Sequence, residues 1–406
     1  MGKAFDAIVV GARCAGSPTA MLLARKGYRV LVLDRATFPS DTVSTHLVHP
    51  LGAAALSRWG LLDCLTATGC PPIRTYCFDF GPFTISGSPE TEKSPVAFCP
   101  RRTILDKLLV DAAAEAGAEV REGFTVEEVS VEDGRAVGIR GRSKHGGSTI
   151  ERARVVVGAD GFRSLVAKAV RPEHYDEKPP LCVGYYTYWS GLPMDGRSEV
   201  YIRDRRAFAA WPTHEDLTLI IGGWPYAEFE ENKKDIEGNY LKTIELVPAF
   251  ADRLRGARRE ARFVGMAVPN YFRKPYGPGW ALVGDAGYNK DFITSQGIMD
   301  AFHDAELCVD ALDKSFSGAR PFEDAMDEYQ RTRDARVKPM YDFTCELATL
   351  QSPPPEMQQF LAAVHGNQKA MDDFARMNAG TISPAEFFAP ENVNAIAAAA
   401  QARVAL

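Results

Sequence analysis

The sequence has little of what marks a membrane protein, a nucleic-acid-binding protein or a metalloprotein. No stretch approaches the length of about 20 apolar residues that a membrane-spanning helix needs. The 47 Lys and Arg against 53 Asp and Glu give a net charge of −6, and no basic tract occurs, so we expect no nucleic-acid partner. The eight cysteines form no Cys-x-x-Cys pair and no metal-like spacing with histidine. They therefore predict free thiols, a cytoplasmic location and no bound metal.

The chain does have the composition of an ordinary globular protein. It contains 406 residues, of which 46% are hydrophobic and 25% are charged. That length is enough for two domains of ordinary size, or for one large domain with insertions. No internal repeat or long low-complexity linker is present, so domain boundaries have to be inferred from changes in pattern.

A glycine-rich loop near the N-terminus has the pattern of a dinucleotide site. It follows an apolar, β-branched run at 4–10, which is typical of a buried parallel strand, and it precedes a predicted helix at 18–26. Glycines allow the tight turn, and the helix N-terminus offers free N–H groups to a pyrophosphate. A second strand at 28–33 ends at Asp34, 18 residues past the last glycine of the loop, where an acidic residue accepts hydrogen bonds from a ribose. The residues of the loop that we expect to contact the cofactor are Gly11, Arg13, Cys14, Ala15 and Gly16.

Arg13 is a departure from the usual glycine at the third position of this loop. Two interpretations remain open. The side chain turns away from the loop, or its guanidinium lies against the phosphates, which is electrostatically sensible for a rigid fork of donors.

Two later segments have related chemistry. Gly158-Ala159-Asp160-Gly161 follows a predicted strand at 154–157, and Gly284-Asp285-Ala286 follows a short strand at 281–283. One glycine-rich loop is a weak signal, but three in a fixed order, each after a strand, predict bound FAD.

The rest of the pattern predicts an α/β fold of mixed α+β character. We expect a Rossmann-like FAD-binding domain formed by residues 1–72, 99–171 and 269–320. The aromatic, alternating segments at 73–98 and 172–268 predict an inserted antiparallel-sheet substrate domain. Residues 321–406 predict a helical C-terminal segment.

These motifs resemble those of the group A flavoprotein monooxygenase superfamily, which has the fold of p-hydroxybenzoate hydroxylase. The resemblance covers about residues 4–315. Besides the N-terminal loop, it rests on VVVGADGFRS at 155–164, WALVGDAG at 280–287, TSQGIMDAF at 294–302, and the Arg-Thr-Ile-Leu-Asp segment at 102–106. Geranylgeranyl reductases and flavin-dependent halogenases are relatives on the same scaffold.

The resemblance implies contacts at both ends of the cofactor. Asp285 would accept a hydrogen bond from the ribityl chain, and Gly297 and Ile298 would place N–H groups at the pyrimidine end of the flavin. The family also uses the position of Asp160 for the cofactor. The residues expected nearer the pyrophosphate and adenosine are Arg102, Arg35 and Val126.

The implied activity is that of an NAD(P)H-dependent monooxygenase. Hydride from NADH or NADPH, bound transiently because no second glycine-rich βαβ unit is present, would reduce FAD. Dioxygen would then form a flavin C4a-hydroperoxide that hydroxylates or epoxidises an apolar or aromatic small molecule. The Trp-x-Trp-x-Ile-Pro motif and active-site lysine of halogenases are missing, as is the Pro-x-x-Tyr-x-Trp-x-Phe-Pro pattern of geranylgeranyl reductases. The alternatives are a reductase or dehydrogenase of the geranylgeranyl-reductase type and a non-catalytic flavin-binding sensor.

Two histidines and one phenylalanine are further candidates in the site. His46 and His49 follow the second strand, where the resemblance implies proximity to the flavin ring. Either could serve as an acid or base, because histidine titrates near neutrality; the alternative is a hydrogen-bonded structural role before the next helix. Phe292 replaces the family's proline in the loop facing the flavin, where it would restrict access or form the floor of the substrate site.

Overall fold

The computed structural model describes residues 4–90, 95–144 and 146–404. The strands, numbered in chain order, are β1 (Phe5–Val10), β2 (Val30–Leu33), β3 (Pro72–Ile73), β4 (Thr75–Asp79), β5 (Thr84–Gly87), β6 (Ala97–Phe98), β7 (Glu119–Arg121), β8 (Phe124–Glu132), β9 (Arg135–Ser143), β10 (Ser148–Gly158), β11 (His174–Lys178), β12 (Cys182–Ser190), β13 (Arg197–Arg203), β14 (Arg206–Pro212), β15 (Thr218–Pro225), β16 (Arg258–Arg259), β17 (Val264–Met266), β18 (Asn270–Arg273), β19 (Tyr276–Gly277), β20 (Trp280–Leu282) and β21 (Tyr288–Asn289).

The helices, also in chain order, are α1 (Gly16–Arg25), α2 (Pro50–Arg58), α3 (Leu62–Ala67), α4 (Arg102–Glu115), α5 (Leu165–Val170), α6 (Phe229–Asn232), α7 (Ile236–Glu245), α8 (Pro248–Leu254), α9 (Gly297–Phe316), α10 (Phe322–Leu347), α11 (Pro355–Val364), α12 (Gln368–Asn378), α13 (Pro384–Phe387) and α14 (Pro390–Val404). Short 3₁₀ turns occur at Tyr226–Glu228, Lys233–Asp235, Gly284–Ala286 and Phe292–Thr294.

A mainly parallel sheet brings the three glycine motifs to one edge. Its strand order is β19-β20-β10-β1-β2-β7, and β1, β10 and β20 run parallel to one another as neighbours. Apolar side chains on both faces of β1 and β2 are buried, on one face against α1, α4 and α9 and on the other against the β8–β9 hairpin and α5, which explains their continuous hydrophobic runs. Because the carboxyl ends of parallel neighbours meet at one edge, the loops after these three strands lie side by side.

The second large sheet is built from both predicted insert segments. Its order is β16-β12-β15-β14-β13-β4-β5, and all the pairs along it are antiparallel except β13 with β4. The predicted antiparallel sheet therefore contains one parallel junction, formed where the early segment at 73–98 joins the later one. Strand β12 is buried along almost its whole length and separates two cores.

Alternate residues of β12 enter different cores. Tyr186 and Tyr188 point to the side that the C-terminal helices α11 to α13 cover, together with Leu47 and Tyr76. The intervening Tyr185 and most other aromatic residues of the insert pack on the opposite face against α7 and α8. The alternation of side chains along a strand thus divides the aromatic residues of the insert between one core under α7 and α8 and another under the C-terminal helices.

The predicted elements recur with local differences. The pattern at 52–65 predicts one continuous helix, but the structure has α2 and α3, which are separated at Gly60 by a φ of +77° that a continuing helix does not allow. The Asp133-Gly134 pair, which predicts a tight turn between two strands, connects β8 and β9. The mixed α/β architecture with a helical C-terminal segment is confirmed, while the domain boundaries given above stay predictions.

Candidate functional site

The first glycine loop has no room for side chains at its glycines. A Cβ on Gly11, which has a φ of +102°, would lie 2.4 Å from the carbonyl oxygen of Ala159, and a Cβ on Gly16 would lie 1.8 Å from that of Gly11. A Cβ on Gly284 would lie 2.9 Å from the Cβ of Ala15. The first loop therefore packs directly on the second motif at one side and on the third at the other. The structure brings the three predicted motifs together.

Asp34 holds the first loop at the end of β2. One of its carboxylate oxygens accepts a hydrogen bond from the Ala12 N–H at 2.8 Å, and the other accepts from the Ala36 N–H at 2.8 Å. Asp34 is thereby oriented at the loop where the ribose of a dinucleotide is expected. Arg35 beside it is exposed, and Val126 lies partly buried in β8 of the neighbouring hairpin, so both expected adenosine contacts stay predictions.

Arg13 is bound to the protein rather than projecting freely from the loop. Its guanidinium forms an ion pair with Asp106 and donates to the hydroxyl of Ser40 at 3.0 Å and to its carbonyl at 3.2 Å. Arg102 donates to the same carboxylate through Nε at 3.1 Å and Nη2 at 2.8 Å. The Cys14 thiol also lies 3.4 Å from Asp106. These contacts favour the interpretation in which Arg13 turns away from the phosphates, and they assign to Asp106 a supporting role that the sequence did not indicate.

Asp285 presents a carboxylate with no hydrogen-bond partner among the described residues. Burial, aided by Asp300, raises its pKa to about 6, while Arg102 and Lys290 act in the opposite direction. An acceptor held in this way fits the hydroxyl groups of a ribityl chain, which would supply the missing donors.

The N-terminus of α9 faces the same region. Gly297 and Ile298 form its first turn, and no side chain caps it at Gln296. The first N–H groups of a helix have no partners within the helix and stabilise negative charge. Lys290 is buried just before this turn, where it pairs with Asp300 and donates to the Tyr288 hydroxyl at 2.8 Å.

The carboxylate of Asp160 forms hydrogen bonds within the protein. It accepts hydrogen bonds from the hydroxyl of Ser164 and from the backbone N–H of Leu165 at 2.6 Å, at the start of α5. Its backbone nitrogen would lie 3.1 Å from a Cβ on Gly11. Asp160 therefore shapes the second motif against the first loop, and direct contact with the cofactor stays a prediction.

Phe292 packs onto the insert. A Cβ on Gly184 of β12 would lie 2.7 Å from the Phe292 ring, so this position needs glycine to accept it. The preceding Asp291 accepts from the backbone N–H groups of Cys182 at 3.3 Å and Ile293 at 3.1 Å. The loop between β21 and α9 is thus held against β12. The effect of Phe292 on access to a flavin stays a prediction.

His46 is a neutral, fully buried histidine. Its Nδ1 lies 2.6 Å from the carbonyl oxygen of Ser44. Because a carbonyl oxygen only accepts hydrogen bonds, Nδ1 carries the hydrogen of the imidazole. Nε2 therefore accepts a hydrogen bond from the Tyr188 hydroxyl at 2.9 Å. Burial, aided by the charge of Arg102, lowers the pKa of His46 to about 3. Burial thus disfavours a charged imidazole at His46, and a catalytic role for this residue stays a prediction.

His49 has a comparable environment. Its Nε2 donates to the carbonyl of Thr294 at 3.1 Å and its Nδ1 accepts from the Tyr76 hydroxyl at 2.7 Å. Burial lowers its pKa to about 4. These hydrogen bonds connect the segment before α2 to the loop before α9 and to β4, which supports a structural role for His49. A catalytic role for His49 stays a prediction.

Arg101 is a polar residue of this region that sequence reasoning missed. Its guanidinium carbon lies 4.2 Å from the centre of the Tyr188 ring, and its Nε is buried without a hydrogen-bond acceptor. Its one signal in the sequence is its position next to Arg102.

The described residues hold neither a membrane-spanning helix nor a metal cluster. No helix among them has the length and apolar character required to cross a membrane. Within the same part of the chain, no three His, Cys, Asp or Glu side chains are grouped as metal ligands.

Comparison with known proteins agrees with the geometry of the motifs. The family described as "FAD binding domain" matches residues 4–344. A tryptophan 2-halogenase from Chondromyces crocatus is 25% identical over 340 residues, which are 80% of this chain and 64% of the halogenase. Digeranylgeranylglycerophospholipid reductase 1 from Methanopyrus kandleri is 27% identical over 348 residues, covering 80% of this chain and 86% of the reductase. The solved structure of the myxobacterial chondrochloren halogenase CndH superposes with a TM-score of 0.80 at 23% identity over 98% of this chain and 97% of that chain.

Proposed function

The chain belongs to the FAD-binding-domain family, and from that premise we propose that it is an NAD(P)H-dependent monooxygenase. Its substrate is a small apolar or aromatic molecule, which receives one oxygen atom from dioxygen. The observation that carries the proposal is the aromatic wall of Tyr186, Tyr188 and His46, whose tyrosines lie in the core that the C-terminal helices cover and whose histidine lies within reach of the charge of Arg102.

The residues present fit FAD. The closely packed glycine loop and the start of α1 suit the pyrophosphate. The Asp285 carboxylate, which has no hydrogen-bond partner among the described residues, suits the ribityl hydroxyls, and the first turn of α9 suits the pyrimidine end. When bound, FAD supplies a redox group that takes hydride from NADH or NADPH and, once reduced, allows dioxygen to react with the substrate.

Tyr188 is the residue of the wall that would form a hydrogen bond with the substrate. Its hydroxyl donates to His46 Nε2, which leaves the phenolic oxygen free to accept a hydrogen bond from a substrate hydroxyl. Burial raises the pKa of Tyr188, so this hydroxyl stays neutral. Tyr188 orients and polarises the substrate without needing a change of charge in the protein.

A missing lysine argues against halide oxidation. Halogenases carry an active-site lysine, and this chain has no lysine between 27 and 92. A reductase is the second candidate, because the archaeal reductase above is matched over most of its length. In that case hydride would pass to the substrate and no oxygen would be incorporated.

The first experiment separates these activities. Purified chain is loaded with FAD and mixed anaerobically with NADH or NADPH, and reduction is followed by the loss of visible flavin absorbance. Aromatic substrates are then added with dioxygen, or with dioxygen and bromide, and products are examined by mass spectrometry. Incorporation of one oxygen atom supports the proposal. A brominated product or a product with two added hydrogens contradicts it, and absence of reduction under every condition, with and without the substrates, favours a non-catalytic flavin-binding sensor.

A matched pair of variants tests the role of the wall. Tyr188→Phe removes the hydroxyl that reaches His46 and is expected to lower the rate of oxygen transfer by about 10-fold or more. Tyr185→Phe changes the neighbouring face of β12, against α7 and α8, and is expected to leave the rate unchanged. Equal effects of both changes would assign the tyrosines to packing alone.

A further inference from the structure

Two adjacent arginines at the start of α4 have opposite environments. Arg102 is buried and donates three hydrogen bonds to the Asp106 carboxylate. Arg101 forms no ion pair in the part of the chain that the structure describes, and its buried Nε has no acceptor. Because enclosing a polar donor without an acceptor costs free energy, such a group in a native protein calls for a partner outside the chain, which can be water, an ion or a ligand.

The surroundings of Arg101 hold it in place without neutralising it. Its guanidinium stacks on the Tyr188 ring, and its backbone N–H donates to His214 Nδ1 at 3.2 Å. His214 Nε2 in turn bonds the Thr68 hydroxyl at 2.8 Å. The nearest hydrogen-bonded pair, His46 with Tyr188, is neutral. Asp41, the carboxylate whose charge reaches Tyr188, is exposed and forms no ion pair with Arg101 among the described residues.

We propose that Arg101 is the anchor for a carboxylate on the substrate. The inference rests on the proposed function, since it takes the wall of Tyr186, Tyr188 and His46 as one side of the substrate site. A planar guanidinium stacked on an aromatic ring presents its edge as a fork, and a carboxylate matches that fork with two parallel hydrogen bonds. The aromatic part of the same molecule would then lie against the tyrosines. The substrate class is therefore an aromatic or polycyclic acid, rather than a wholly apolar molecule.

The test is a binding comparison on the FAD-loaded protein. Titration calorimetry measures Kd for three acid–amide pairs: benzoate and benzamide, 2-naphthoate and 2-naphthamide, and indole-3-acetate and indole-3-acetamide. For at least one pair the wild type is expected to bind the acid more tightly than the amide. In Arg101→Gln the acid should bind about 10- to 100-fold more weakly, with the amide little changed.

A control arginine excludes a general effect of charge. Arg154 also stacks on a ring at 4.2 Å, that of Phe316, but it is paired with Asp6 at 3.2 Å. Arg154→Gln should leave all six dissociation constants unchanged, and each variant is first checked for its FAD content. Where Arg101→Gln does not fold, Arg101→Lys replaces it, because it keeps the charge, loses the fork and should retain only part of the preference for the acid.

Three outcomes would overturn the assignment. These are a wild type that binds no acid more tightly than its amide, an Arg101→Gln variant that keeps the preference, and binding of bromide alone that is lost in the same variant. The last result would assign Arg101 to an inorganic anion. Calorimetric binding requires neither hydride nor dioxygen, so a chain that binds acids through Arg101 but transfers no oxygen would refute the monooxygenase and leave the subsite standing.

Discussion

Replacement of Asp106 by asparagine tests how the two arginines of the FAD region are held. Asp106 is completely buried and its carboxylate serves both Arg13 and Arg102, whose side chains are 24% and 9% exposed. Asp106→Asn leaves the two guanidinium groups without their common counter-charge. Breaking a buried pair from one side costs about 3–5 kcal/mol. Asparagine keeps one acceptor oxygen and Arg13 is partly solvated, so we expect a loss near the lower value, about 3 kcal/mol.

The same helix supplies the control. Lys107 and Asp111 form an ion pair at the same four-residue spacing in α4, but their side chains are 40% and 50% exposed. Asp111→Asn is therefore expected to cost less than about 1 kcal/mol. Both variants are melted with and without saturating FAD, and FAD affinity is measured by fluorescence titration. Asp106→Asn should lower the melting temperature by about 3–4 °C, given the unfolding entropy of a chain of 406 residues, and weaken FAD binding.

The comparison has a clear refuting result. If Asp106→Asn and Asp111→Asn lower the melting temperature equally, the buried carboxylate does not compensate the arginines as the geometry indicates. If Asp106→Asn is destabilised but binds FAD with unchanged affinity, the cluster stabilises α4 without supporting the nucleotide loop.

Three other predictions follow from particular residues. Gly11→Ala should purify with little FAD, because its Cβ would lie 2.4 Å from the Ala159 oxygen. The control Gly134→Ala, where φ is +77° but no atom lies within 4 Å of the added Cβ, should retain FAD at the wild-type level. Equal FAD contents in the two variants, measured by absorbance, would contradict this prediction. Burial raises the pKa of Asp304 to about 7. The carboxyl therefore binds a proton more tightly in the folded chain than in the unfolded chain, whose pKa is about 4. The wild type consequently loses stability from this group as the pH rises from about 4 to 7. Asp304→Asn should lose less stability over that interval in thermal melts; a parallel decline in both proteins would show that Asp304 does not titrate there. Because the pKa of His46 is about 3, His46→Gln should slow turnover without changing the shape of the pH profile of turnover between about pH 6 and 8. An inflection in the wild-type profile that disappears in the variant would refute a neutral His46.

Much of the fold could be predicted because its signals are local. The buried run of β1, the glycines after it and the acidic end of β2 are requirements that neighbouring residues impose on one another. The prediction of a FAD-binding family member is confirmed by the match over residues 4–344. The break between α2 and α3 was missed because a glycine inside an apolar helical pattern is tolerated as often as it ends the helix.

The candidate site was predictable only in part. Asp285 and the first turn of α9 follow motifs with a known structural context, whereas Arg101 and Asp106 belong to no distinctive pattern. Whether an arginine is paired depends on a carboxylate that the chain brings near it. Arg13 meets Asp106 across 93 residues of sequence, a separation at which spacing carries no information.

The sequence by itself determined where the glycine loops and the start of α1 lie, because the absence of a Cβ and the start of a helix are properties of a few consecutive residues. Only the tertiary structure decided which core each aromatic residue joins and which charges lack a partner among the described residues. Tyr185 and Tyr188 have similar neighbours in sequence, but strand β12 directs them into different cores. The pKa of His46 was likewise set by burial and by Arg102, since desolvation and charge pairing depend on distances in space rather than along the chain.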